Sequence, residues 1–205
     1  AGGRLVPTLQ ASCAEHVTLD IGRKSLLTLR HVPALRRLLA DVGTDIVHAR
    51  SRLPAWIGLS ALRGMPAPSR PRFVTTMHGL NSPGRYSAVM TRGDLVIAHS
   101  DYTRDPVLRE HALPPEKIVT IPRVVDLDRF NPAWVTRERI ADLRAAWGIA
   151  PTDNRVKILL GGRLTRIKGH PTIIEAAARM KAAGQSNFLI IFAGDDQGRT
   201  DYREE

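Results

Sequence analysis

The sequence predicts an α/β fold whose strands run parallel under a cover of helices, and three observations carry the prediction. Short apolar runs bounded by turn residues recur along the chain, and a longer segment of helical period follows each. Parallel strands need a crossover long enough to hold a helix, so that alternation is their signature. The runs also fall into two sets, with turn-rich sequence on both sides of the helical segment between them.

The first helix is expected over 33–41, "PALRRLLAD", ended by Gly43. The first set of strands follows: "DIVHA" (45–49), "RFVTTM" (72–77), "DLVIAH" (94–99) and "KIVTIP" (117–122). An amphipathic helix at 136–148, "TRERIADLRAAWG", lies between "FNP" and "PTDN" and reads as a joint. The second set is "KILL" (157–160) and "FLIIFAG" (188–194). Between them a helix begins after Pro171, carries Ile, Ala and Met on one face, and stops at Gly184. The boundary is expected within 121–130, dividing the chain into a Rossmann-like domain at 1–122 and a linker with the first part of a second such domain at 123–205. The chain opens at "AGGRLVPTLQ" without an initiator Met and closes on a charged stretch directly after a strand, so it is expected to be part of a longer protein.

Composition narrows the function classes. The 205 residues hold 30 Lys and Arg against 20 Asp and Glu, a net charge of +10. Such an excess fits polyanionic partners, yet the arginines are scattered over helices, loops and strand ends without a run, and aromatics for base stacking are only 5%. No nucleic-acid partner is therefore expected. The single Cys13 excludes an internal disulfide and a Cys-based zinc site. No apolar stretch approaches the length of a membrane-spanning helix.

Two stretches carry the strongest chemistry. In "GGRLTRIKGH" (161–170) a strand ends in Gly161-Gly162, so backbone can approach a ligand, and the helix that follows offers unpaired N–H groups at its positive end. Arg163 adds a planar fork and Lys168 a point charge, a pairing suited to a diphosphate. A solvated strand-to-helix turn explains the same residues. The order Lys168-Gly169-His170 is not that of a P-loop. In "TMHGLNSPGRY" (76–86) His78 stands at the C-terminal end of a strand, before a loop with Pro83 and Gly84. Ligands of open α/β sheets bind at that edge. His48, Arg50, Ser51, Arg52, His99 and Ser100 arrive there from neighbouring strands. Asp126 and Asp128 in "VDLDRF" are poor candidates for a metal, because Arg123 and Arg129 are close enough in sequence to pair with them. "GDD" (194–196) follows a strand and reads equally as a ligand contact or an acidic turn.

Taken in order, "HARSRLPA", "TMHG", "DLVIAHSDYTRD", "EKIVTIPRVVDLDRFNP" and "GGRLTRIKGHPTIIEAAA" resemble the family-four retaining glycosyltransferases of the GT-B fold, over about residues 41 to 196. The resemblance implies an enzyme with two Rossmann-like domains facing across a cleft, which passes a sugar from a nucleoside diphosphate to a glycan or lipid-linked acceptor of the cell envelope. It implies catalytic roles for His78, near the reacting sugar, and for Arg163 and Lys168, which neutralise the departing diphosphate. Gly161, Gly162 and Gly194 would line the donor. Neither metal nor cofactor is implied, because the two cations do what a divalent ion does elsewhere. The expected location is the cytoplasm, with peripheral contact to the anionic inner face of the membrane. Val124 departs from the glycine usual in the family, and the family's paired glutamates and first strand fall outside these residues. Two other functions compete: a non-enzymatic module binding phosphate or nucleic acid, and a sugar-nucleotide epimerase on the same scaffold.

Overall fold

The computed structural model describes residues 3, 5–22, 25–80, 82, 84–196, 198 and 200–204. Pro83 lies outside the described residues. The chain divides into two compact units, Ala1–Val125 and Asp126–Glu205.

The first unit holds a four-stranded sheet of β1 (Ile46–Ala49), β2 (Arg72–Met77), β3 (Leu95–Ala98) and β4 (Ile118–Thr120). All neighbours are parallel, in the order β1-β2-β3-β4, with Val47 opposite Phe73, Thr75 opposite Val96 and Ala98 opposite Thr120. The run at 72–77 keeps its predicted bounds, and the other three are trimmed by a residue or two at one or both ends where pairing stops. Strand β2 is central: Phe73, Thr75, Thr76 and Met77 are all buried, so both of its faces are covered. Its register is pinned at the entry to β3, where the Asp94 N–H donates to the Phe73 carbonyl at 2.7 Å and the Asp94 carboxylate accepts from the Phe73 N–H at 2.7 Å. Gly93 permits that approach, since a Cβ there would stand 2.9 Å from the Phe73 carbonyl oxygen.

Short helix α1 (Val6–Ala11) and then α2 (His31–Asp41) precede the sheet. The crossovers are α3 (Arg52–Arg63), a 3-10 turn at Ser87–Thr91, and α4 (Asp101–His111). The sequence places helical period after each strand but sets no bounds for α3 or α4. The α3 stretch "RLPAWIGLSALR" contains Pro, Trp, Ile and Gly, all poorer helix formers than Ala or Leu. Burial overrides that preference: Ala55, Ile57, Gly58, Ala61 and Leu62 are all inside. Pro106 sits within α4 and obscures it in the same way, while Ser100 caps its start by accepting from the Thr103 N–H. The core gathers Leu39, Leu62, Met65, Phe73, Met77, Met90, Val96, Val107 and Ile118 from α2, α3 and the turn after it, the strands, the 3-10 turn and α4.

The second unit begins with helix α5 (Arg137–Ala146), which reads as a joint in the sequence and which the structure groups with this unit. Its sheet is the parallel pair β5 (Val156–Gly161) and β6 (Phe188–Ala193), with Ile158 opposite Ile190 and Gly161 opposite Ala193. Helix α6 (His170–Ala182) connects them, and Ile173, Ala177 and Met180 form its less exposed stripe at i, i+4, i+7. It begins at His170, two residues before the predicted start after Pro171, and is followed by Gly184 at φ +80°. A short α7 (Asp201–Glu204) follows β6. No helix among the described residues is long and apolar enough to cross a membrane.

Candidate functional site

Each unit brings chemistry-bearing residues to the C-terminal edge of its parallel sheet, where the crossover geometry leaves loops and helix N-termini open.

In the first unit β1 delivers His48, Arg50 and Ser51, β2 delivers Thr76 and His78, β3 delivers His99, and the segment after β4 delivers Arg123. A cleft of about 380 Å³ opens there, lined by Arg50, Ser51, Arg52, Thr76, His78 and Met90 among others. The His78 Nδ1 lies 2.8 Å from His99 Nε2 and 3.2 Å from an Arg123 guanidinium nitrogen. The two rings stand 4.8 Å apart, tilted by 44°. On its other side the His99 Nδ1 lies 3.3 Å from the Ile121 carbonyl oxygen. His48 Nε2 is 2.6 Å from the Thr76 hydroxyl. Arg52 donates to the Ser87 hydroxyl and stacks on Tyr86. Partial burial, and next the Arg50 guanidinium, hold both His48 and His78 below the ordinary imidazole pKa; at His78 the neighbours His99, Arg123 and His48 add to this. Both rings are consequently neutral at neutral pH.

Convergence on this edge holds, with two changes of membership. Ser100 is the cap of α4, its hydroxyl engaged with Thr103. Arg123, expected to pair with Asp126 or Asp128, turns instead to His78. The Asp126 carboxylate closes a local turn, accepting from the Asp128 and Arg129 N–H groups, and Arg129 lies over Phe130. Arg123 and His99 are thus the residues that sequence reasoning undervalued. Their signal was position, since each stands within three residues of a strand's C-terminal end.

In the second unit the turn "GGRLTRIKG" is tied to the strand beside it. The Gly162 N–H donates to the Ala193 carbonyl at 2.8 Å and the Leu164 N–H to the Asp195 carbonyl at 2.9 Å, continuing the ladder past the end of β5. A 3-10 turn at Arg166–Lys168 then leads through Gly169, at φ +78°, into α6. Gly161 borders open space, and the Lys168 stem lies against Gly162, within 3.4 Å of where a Cβ would stand. Gly194 has a packing reason for being glycine: a Cβ there would run into the Gly162 carbonyl oxygen. Arg163 and Lys168 are both exposed. Arg166 is also exposed, but it stacks over Tyr202, 5.7 Å from the ring centre. His170 opens α6 and is 5% exposed, its ring edge-on to Phe192 and Tyr202 and its Nδ1 3.4 Å from the Tyr202 hydroxyl. Among the described residues no three His, Cys, Asp or Glu side chains gather as they would around a metal ion.

Comparison with known proteins gives this geometry a family. The sequence family described as Glycosyltransferase Family 4 matches residues 13–129. The chain is 28% identical to a D-inositol 3-phosphate glycosyltransferase of Catenulispora acidiphila over 84% of its length and 48% of the relative's. It is 34% identical to an alpha-D-kanosaminyltransferase of Streptomyces kanamyceticus over 52% of its length and 26% of the relative's. Among solved structures, a glycosyltransferase of Rickettsia africae superimposes with a TM-score of 0.79 at 27% identity, covering 99% of this chain and 53% of that one. A sucrose-phosphate synthase of Thermosynechococcus elongatus shares the fold, with a TM-score of 0.61 at 19% identity over 93% of this chain and 59% of that one. The chain spans about half the length, or less, of the curated relatives it matches.

Proposed function

The chain belongs to Glycosyltransferase Family 4, and from that premise we propose that it forms part of a retaining enzyme that moves a sugar from a nucleoside diphosphate to a glycan or glycolipid acceptor. The observation that carries the proposal is the turn between β5 and α6. There Gly161 leaves open space beside the backbone, Arg163 and Lys168 are exposed, and the 13-residue helix α6 begins. A diphosphate needs those three things together: room for close approach, an oriented dipole, and cations that strengthen their hold as negative charge develops on the leaving group.

In this reading Arg163 and Lys168 neutralise the departing diphosphate, and His78, on the first unit's strand edge, meets the donor sugar near the reacting carbon. No metal is required for the step, since the two side chains supply the positive charge. The acceptor side is the cleft beside His78. Its lining residue Arg50 has no hydrogen-bond or ion-pair partner among the described residues, which favours an acceptor that carries an anion such as a phosphate. Membrane contact through the net charge of +10 belongs to the same proposal.

The test is steady-state kinetics on protein expressed from the complete coding sequence. Hydrogen bonds to charged groups are worth about 1.5–3 kcal/mol, so Arg163→Ala and Lys168→Ala should each lower kcat/KM by roughly 10- to 150-fold. Arg163→Lys should also be harmful, because a point charge cannot reproduce the fork. Arg166 is unsuitable as the neutral control, since it stacks on Tyr202. Arg179, an exposed member of an i,i+4 pair with Glu175, serves instead. Losses at Arg163 and Lys168 no larger than at Arg179 would reduce the stretch to a charged turn.

A further inference from the structure

His78 Nδ1 has two neighbours, and only one of them is chemically unambiguous. A guanidinium has five N–H donors and no acceptor, so Arg123, at 3.2 Å, can only donate to it. The Nδ1 of His78 must then offer a lone pair, and its proton must sit on Nε2. His99, whose Nε2 is 2.8 Å away, fits that arrangement when it too donates; its neutral ring then leaves Nδ1 unprotonated against the Ile121 carbonyl oxygen at 3.3 Å, a long neutral contact that the charge-assisted bond from Arg123 outweighs. Without Arg123 a second arrangement becomes the better one. His78 Nδ1–H would donate to His99 Nε2, and His99 Nδ1–H to the Ile121 carbonyl at 3.3 Å, a short relay in which every group is matched. The two arrangements differ in what His78 shows to its cleft: an N–H donor in the first and a lone pair in the second.

We propose that Arg123 is a positioning residue that selects the Nε2–H form of His78, so that the cleft receives a hydrogen-bond donor from this ring and not an acceptor. The consequence for catalysis rests on the reading of His78 as a contact to the donor sugar; the selection itself does not. The charged and titratable groups around the ring all act in the same sense. His48 on β1 and Arg50 after it, His99 after β3 and Arg123 after β4 are basic, and each disfavours the imidazolium. The choice at neutral pH therefore lies between the two neutral forms, and the donor-only neighbour decides it.

The measurement is long-range ¹H–¹⁵N NMR of the histidine rings in the 205-residue chain near pH 7.5, in wild type, Arg123→Met and Arg123→Lys. All three are expected to fold, because Arg123 is exposed. In wild type His78 should show a protonated Nε2 and an unprotonated Nδ1. In Arg123→Met the proton should move to Nδ1, and in Arg123→Lys, whose ammonium also cannot accept, it should stay on Nε2. A wild-type ring protonated on Nδ1 overturns the proposal, as does an Arg123→Met ring unchanged from wild type. A lysine variant that behaves as the methionine one overturns the assignment to donor-only character. In protein from the complete coding sequence Arg123→Met should lower kcat about tenfold with little change in donor KM, the loss of one neutral hydrogen bond in the transition state. Unchanged kcat beside the expected NMR result supports the selection by Arg123 and removes His78 from sugar transfer.

Discussion

Three glycines of the second unit look alike in sequence and differ in what surrounds them. At Gly194 a Cβ would strike the Gly162 carbonyl oxygen, which is backbone and cannot swing aside. Gly194→Ala should therefore cost about 1–3 kcal/mol of stability, the usual toll of overpacking, read as a lower urea midpoint. At Gly161 nothing lies within 4 Å of the same atom. Gly161→Ala should leave stability within about 0.5–1 kcal/mol of wild type. If the donor diphosphate passes over Gly161, that variant should instead raise the dissociation constant for a nucleoside diphosphate in calorimetry on the complete protein. Equal stability losses at Gly161 and Gly194 would contradict the geometry. Gly162 differs from both: its backbone sits at φ +159°, which L side chains rarely adopt, so a substitution there is strained although the space beside it holds only the flexible Lys168 stem.

At the scale of elements, strand β2 organises the first unit. It lies between β1 and β3 in register, buries both faces, and leads directly into His78. The hydroxyl of Thr75 within it is wholly buried and donates to the Met90 carbonyl at 2.5 Å, tying the 3-10 turn at Ser87–Thr91 to the sheet. Thr75→Val keeps the shape and removes the donor, leaving that carbonyl without it. The expected loss is about 1–3 kcal/mol in chemical denaturation. An unchanged midpoint would mean that the turn is held by the packing of Val89 and Met90 alone. The strands were legible in the sequence because each is a short apolar run between turn residues. The bounds of helices α3 and α4 were not, because Trp56, Gly58 and Pro106 argue locally against helix, and only burial against the sheet outweighs that local preference.

At the scale of the whole molecule, the net charge of +10 and the lowered imidazoles of His48 and His78 act together as pH falls. Both histidines have folded-state values below their unfolded ones, so between the two values the unfolded chain binds more protons. Stability should therefore be greatest above about pH 6.5, the unfolded imidazole value, and should decline as pH drops through it. Thermal melts at pH 7.5 and 5.5 should show a lower Tm at the acid value. A His48→Gln, His78→Gln double variant should flatten the difference. A Tm that rises on acidification, in wild type but not in the variant, would reverse the assigned direction of both shifts.

By itself the sequence determined the class of fold, the six strands, the Gly-Gly turn with Arg163 and Lys168, and the arrival of His78 at a strand's end. These are local matters, set by apolar runs, turn residues and spacing. Only the tertiary structure decided which arrivals meet. His99 and Arg123 stand 21 and 45 residues from His78 along the chain, and the parallel register of β2, β3 and β4 is what brings them within hydrogen-bonding distance of it. Asp126 was nearer to Arg123 in sequence, yet it closes a turn of its own. Pairing across a sheet depends on register and crossover, which no short stretch encodes, so the partner of a charged side chain had to be found in space.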